Sequence, residues 1–214
     1  MVITIGGNYG SGGKALAERA AEMLGYTLCD DEVIKEVVKD SGVDMTTETF
    51  TYFDESSGKS SLSEIQRLSS VQAANYRSMI SSIVMDVAPL DKRMNVIQER
   101  ICKALADKGN CIILGRCADY YLRGRDDVIS IFVTNTPENC VKRIMEHFSI
   151  DEKAAKKVVK KTDERRSDYY SFFTGKRWAD LNNYNIVLQN QCLGDEGCAR
   201  LLKAIVEIKE PCKA

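Results

Sequence analysis

The sequence predicts an α/β fold in which about five parallel strands are covered by helices on both faces, a three-layer α/β/α arrangement. Three observations carry this reading. Short β-branched runs alternate with stretches of helical periodicity along most of the 214 residues. The first run drops directly into a glycine-rich loop that opens a helix. One internal stretch, 43–95, breaks the alternation and reads as a helical insertion rather than a second domain.

Val2-Ile3-Thr4-Ile5 is the first expected strand, and Gly6-Gly7-Asn8-Tyr9-Gly10-Ser11-Gly12-Gly13-Lys14 the loop behind it. The helix that starts at Ala15 carries Leu16, Ala20, Met23 and Leu24 on one face and stops at Gly25. Tyr26–Cys29 reads as the second strand, and Val33, Ile34, Val37 and Val38 have helical spacing up to Ser41-Gly42. Within the insertion, Ser56 to Ser61 is an expected flexible tip, followed by a polar helical pattern with Ile65, Leu68, Val71, Met79, Ile80 and Ile83.

Ile97, Ile101 and Leu105 mark the next helix, and Cys111–Leu114 and Val128–Val133 the next two strands. Thr136-Pro137 supplies a hydroxyl cap and a proline whose missing N–H costs nothing in a first helical turn. Ser149 with Glu152 is an expected capping box for a further helix. Tyr184–Leu188 is the last strand, before a terminal helix with Leu201, Leu202, Ile205 and Ile208.

Thirty basic residues against thirty-one acidic leave a formal charge of −1, so no overall basic field points to nucleic acid or an anionic membrane. The eight cysteines form no C-x-x-C pair and have no histidine at zinc-ligand spacing. They read as reduced thiols of a cytoplasmic protein. No secretion signal and no membrane span is expected.

Five glycines within residues 6–13 allow several backbone N–H groups to turn toward one point, at the positive end of the following helix. Such a place suits phosphate, and a nucleotide is the expected ligand. The match to the Walker A pattern is partial. With Lys14 as the motif lysine, Asn8 stands where the first glycine belongs; in the other frame Gly13 takes the lysine position and Lys14 comes one residue late. In both frames Ala15 lacks the hydroxyl that would meet Mg²⁺, for which Ser11 is the candidate substitute.

Several separate segments resemble the P-loop nucleoside monophosphate kinases, in the divergent branch of cytidylate kinase-like proteins. Tyr9-Gly10-Ser11-Gly12-Gly13-Lys14 is similar to that branch's phosphate loop, which commonly places its basic residue just after the Walker lysine position. Leu114-Gly115-Arg116 resembles the Gly-Arg that cytidylate kinases set against the nucleotide's phosphate, although their following Asp is Cys117 here. Thr162-Asp163-Glu164-Arg165-Arg166 looks like the lid segment, whose Asp-x-x-Arg contacts the acceptor nucleotide. Tyr169-Tyr170, Thr174-Gly175, Trp178, Asp180 and Tyr184 follow at a spacing similar to the branch.

The resemblance implies a P-loop NTPase-type core over 1–42 and 96–214, a lid over about 146–180, and an insertion at 43–95 that binds the acceptor. It implies ATP and Mg²⁺ as cofactors and transfer to a nucleoside monophosphate, CMP or dCMP first. The candidate cofactor-binding segment is Tyr9, Gly10, Ser11, Gly12, Gly13, Lys14 and Ala15. Candidate catalytic cations are Lys14, Arg116 and Arg166, and candidate substrate contacts are Asp30, Arg116, Asp163 and Arg166.

The chemistry itself asks for little more. A phosphate-oxygen nucleophile is already ionised at neutral pH, so the protein needs cations and water exclusion rather than a strong general base. Several alternatives stay open. Asp30 and Asp31 either face a substrate or cap the helix through Val33, and Arg116 either reaches the nucleotide or forms a surface ion pair. The aromatic group of Trp178, Tyr169, Tyr170 and Tyr184 either stacks on a base or packs a core, and His147 has no ligand-spaced partner. A regulatory nucleotide-binding protein without transfer activity, or a kinase of a non-nucleotide metabolite, would also fit.

Overall fold

The computed structural model describes residues 1–30 and 93–210, with backbone alone at 93–95 and 97. The expected helix near 33–42, Asp31 and the insertion with its tip at 56–61 lie outside the described residues, as does Cys212. Five strands form one sheet in the order β2-β3-β1-β4-β5. They are β1 (Val2–Gly7), β2 (Thr27–Cys29), β3 (Cys111–Leu114), β4 (Val128–Thr134) and β5 (Ile186–Gln189), and every pairing is parallel.

The described helices are α1 (Gly13–Leu24), α2 (Arg93–Lys108), α3 (Ala118–Tyr121), α4 (Pro137–Phe148), α5 (Glu152–Thr174) and α6 (Asn190–Lys209). α2 thus begins just inside the stretch expected to be insertion. The three layers follow from strand alternation, because successive side chains point to opposite faces. Ile3, Ile5, Ile112, Ile129, Ile131 and Val133 pack against Leu16 and Ala20 of α1 and Cys198 and Leu202 of α6. On the other face Val2, Cys111, Ile113, Val128 and Phe132 meet Ile101 and Leu105 of α2 and Tyr170 of α5. A smaller cluster joins Tyr9 of the glycine loop to Val141 and Ile144 of α4 and Ala155 of α5.

Two local expectations are corrected. Ser149 does not cap α5: it ends α4 in the left-handed region at φ 54°, and Asp151 takes the N-cap by accepting the Ala154 N–H at 2.7 Å. Asp is as good an N-cap as Ser and stands closer to the helix start. The last strand begins at Ile186 rather than Tyr184, because the Asn185 side chain takes the pairing role, its Oδ1 accepting from Ser130 N and Oγ at 2.9 Å each. The terminal helix buries Cys198, Ala199, Leu202 and Val206, leaving Leu201 and Ile208 38% and 70% exposed. Thr136 caps α4 as expected, accepting the Asn139 N–H at 3.3 Å with Pro137 in the first turn.

The aromatic group packs a core. Trp178 is buried edge-on to Phe132 with ring centroids 5.4 Å apart, and Tyr184 donates its hydroxyl to the Trp178 carbonyl at 2.9 Å. Trp178→Ala is therefore expected to cost about 3–5 kcal/mol, read as a lowered urea midpoint.

Nearby, Tyr170 donates to Asp119 Oδ2 at 2.6 Å. Burial pushes the Asp119 carboxyl up to about 6, against the pull of the Tyr170 hydroxyl, its helix amides and Lys176. A carboxyl raised in the folded state stabilises the fold while protonated. That contribution is present below about pH 4 and lost as pH rises through 6, and is on the order of 2 to 3 kcal/mol. Asp119→Asn should remove this pH dependence, so denaturant titrations from pH 4 to 7 should show the variant gaining on the unmodified protein.

Candidate functional site

Parallel strands bring all their carboxyl ends to one edge, and the order β2-β3-β1 places Asp30, Gly115-Arg116 and the glycine loop side by side there. The registers Cys29↔Ile113 and Ile5↔Leu114 put these segments at the same height.

The loop is held from behind. Asn8 N–H donates to the Val133 carbonyl and Ser11 N–H to the Asn8 carbonyl, both at 3.1 Å, so the chain turns sharply at Tyr9-Gly10. Gly10 and Gly12 have φ of 78° and 95°, and a Cβ on Gly12 would lie 2.2 Å from Asn190 Nδ2. Asn190, at the start of α6, donates to the Ser11 carbonyl at 2.8 Å and to Asp195 Oδ1 at 2.6 Å. A peptide is planar and trans, so a carbonyl tied back turns the next N–H, that of Gly12, the other way. Among the described residues, the N–H groups of Gly10, Gly12 and Gly13 donate to no backbone carbonyl. The result is a cluster of available amides at the N-terminus of α1, an arrangement suited to phosphate.

Charged groups from distant segments meet this loop. Lys14 Nζ lies 3.8 Å from Asp30 Oδ2, and the Asp30 side chain is nearly buried. Asp30 thus stands at the ligand edge in an ion pair with the loop lysine, and the helix it would cap lies outside the described residues. Arg166 on α5 donates to the Gly7 carbonyl at 2.8 Å and stands 5.2 Å from the centre of the Tyr9 ring. Asp163, one turn earlier, accepts the Tyr9 N–H at 2.7 Å and the Asn8 Nδ2 at 3.2 Å. Burial raises its carboxyl above the ordinary range, opposed by these bonds and by Arg166. Arg165 is exposed, and His147 is exposed against the Phe148 ring.

Arg116 emerges from β3 in the left-handed region at φ 57° and is 9% exposed, which excludes a fully solvated surface position. Its charge lies close enough to Tyr169 to favour the phenolate against the rise caused by burial. Tyr169 in turn donates its hydroxyl to Gln98 of α2. Residue Arg116 follows the end of β3 and Arg166 holds the end of β1 from α5, so the two segments lie at the same sheet edge.

Ala15 presents no hydroxyl, and Ser11 Oγ is buried without a hydrogen-bond partner, on the side where Ile5 and Val133 pack. Among the described residues no group of three His, Cys, Asp or Glu could hold a metal ion. The available amides fit a polyphosphate, and a divalent cation at this edge would be carried chiefly by phosphate oxygens and water.

Asn8, Arg143, Asn190 and Asp195 were not singled out from sequence. Arg143 Nη2 donates to Asp195 Oδ2 at 2.9 Å, completing the bracket behind Gly12. Their only sequence signal is position: Asn190 and Asp195 directly follow the last strand, the place from which an α/β chain reaches its ligand edge.

A family model described as the cytidylate kinase-like family matches residues 2–191. The chain belongs to that family. The fold of this cytidylate kinase-like protein is also found among solved structures. An uncharacterized protein from Eubacterium ventriosum aligns over 98% of each chain, with 22% identity and a TM-score of 0.62. Shikimate kinase from Bacteroides thetaiotaomicron aligns over 97% of this chain and 98% of its own, with 12% identity and a TM-score of 0.51. At such identities the likeness concerns the fold. A comparison with curated proteins returns no match. Family membership supports a kinase-type phosphotransferase. No described helix is long and apolar enough to cross a membrane.

Proposed function

We propose that this cytidylate kinase-like protein transfers the γ-phosphoryl group of ATP to a nucleoside monophosphate, CMP or dCMP first, in the cytoplasm. The observation that carries the reading is the meeting of the open loop amides, Lys14, Arg116 and Arg166 along one sheet edge. In this reading residues Tyr9 to Ala15 hold the ATP phosphates. Stretch 43–95 supplies the acceptor site and about 146–180 acts as lid.

An oxygen of the acceptor's phosphate attacks the γ-phosphorus. The bond from that phosphorus to the β-phosphate oxygen breaks, and ADP leaves with the electron pair. The nucleophile carries its own negative charge, so one histidine in the chain is no handicap. Lys14 and the loop amides hold the leaving phosphates, while Arg116 and Arg166 balance the charge spread over the transferred group. A Mg²⁺ ion bound with ATP would supply further positive charge against the phosphates, held chiefly by phosphate oxygens and water. To approach the γ-phosphate, Arg166 exchanges the Gly7 carbonyl for a phosphate oxygen, which couples the lid to nucleotide arrival.

A coupled ADP-release assay across the nucleoside monophosphates tests this, with CMP or dCMP expected to give the highest kcat/KM. ATP binding without turnover on any monophosphate would reject the acceptor assignment. The absent hydroxyl at Ala15 favours a second reading, a nucleotide-responsive regulator without transfer activity. Under it Arg166→Ala would leave ATP affinity and biological effect unchanged.

A further inference from the structure

We infer that Asp163 is a positioning residue for the phosphate loop rather than a contact of the acceptor, an assignment that rests on the nucleotide-binding reading above. One carboxylate brackets one peptide: Oδ1 takes the Tyr9 N–H at 2.7 Å, and Oδ2 takes the side chain of the preceding residue, Asn8, at 3.2 Å. The other end of that peptide is fixed as well, because the Asn8 carbonyl accepts from Ser11 N–H at 3.1 Å. A planar unit held at both ends has a single orientation, and it sets the direction in which the chain enters Gly10 to Gly13.

The support behind Asp163 is rigid. Its neighbour Thr162 and Ala155 two turns earlier are buried, and α5 runs unbroken from Glu152 to Thr174. Arg166 on the same helix face holds the Gly7 carbonyl at 2.8 Å, so two bonds from one helix turn flank the start of the loop. An acceptor contact through Asp163 would have to compete with two bonds already made. The carboxylate also places a negative charge beside the loop, which argues against direct contact with polyphosphate and for action through the backbone.

The test uses the full chain, titrating ATP with Mg²⁺ by calorimetry and measuring KM for each substrate. Asp163→Leu, which keeps the branching at Cγ but accepts no hydrogen bond, is expected to weaken ATP binding about 10- to 100-fold and to leave the KM of the monophosphate unchanged. Asp163→Asn should recover most of the loss, because its amide oxygen still accepts from Tyr9 and the Asn8 amide can turn over to accept from the new NH₂. Asn8→Ala, which leaves α5 untouched, should shift ATP affinity in the same direction about threefold, so the idea stands or falls even if Asp163→Leu folds poorly. Unchanged ATP affinity in all three variants, or a raised acceptor KM with normal ATP binding, would overturn the inference. Failure of the unmodified chain to bind ATP would sink the nucleotide reading and this assignment together, a result distinguishable from failure in the variants alone.

Discussion

Arg166→Ala is expected to lower kcat by about 10²- to 10³-fold while the melting temperature stays within a degree or two of the unmodified protein. The two halves of this result have separate causes. Arg166 is an exposed side chain that donates to one carbonyl, stands beside one aromatic ring and faces the Asp163 carboxylate, which keeps its bonds from Tyr9 and Asn8 when the guanidinium is removed, so no cavity opens. In phosphoryl transfer, however, a guanidinium beside the transferred group acts where charge accumulates in a water-poor site, and that is where a cation has its largest effect. Arg166→Lys keeps the charge but loses the planar fork, and should fall between the two. Turnover within threefold of the unmodified enzyme would remove Arg166 from the mechanism and leave it as a tether on Gly7.

Gly10→Ala should have the largest effect on the loop itself. A Cβ there would stand 2.5 Å from the Cys140 carbonyl oxygen and 3.0 Å from its carbonyl carbon and α-carbon, all backbone atoms of α4. Helix backbone cannot yield as a flexible side chain would, and the φ of 78° is itself unfavourable for alanine. A loss of more than about 2 kcal/mol in stability is expected, together with loss of ATP binding. Gly25→Ala, where no heavy atom lies within 4 Å, is the control and should leave ATP affinity intact. Calorimetry and urea denaturation on the two variants separate a damaged loop from a generally weakened fold. Normal ATP binding by the Gly10 variant would show that the loop shape is not what holds the nucleotide.

Local signals in the chain carried the architecture well. The glycine loop, the strand before Arg116 and the Thr136-Pro137 helix start depend on residues adjacent in sequence, and each stands where periodicity and capping chemistry put it. Where two cap residues of equal strength stand two positions apart, as with Ser149 and Asp151, local chemistry does not separate them. The aromatic group showed the limit of spacing alone. Tyr184 and Trp178 meet Phe132 on β4, and only that long-range meeting identifies a packed core. The bracket of Asn190, Asp195 and Arg143 was invisible for the same reason, since isolated polar residues have no period to betray them. Strand order also had to come from the structure, yet it is what makes Asp30, Arg116 and the loop neighbours.

The bond from Asn190 to the Ser11 carbonyl joins positions 179 residues apart. The turn at Tyr9 to Gly13 therefore keeps its shape only while α6 is docked behind it. A fragment cut before Asn190 would hold every residue of the glycine loop and still lack the bond that orients its Ser11 carbonyl, so the geometry of this short segment belongs to the folded core as a whole.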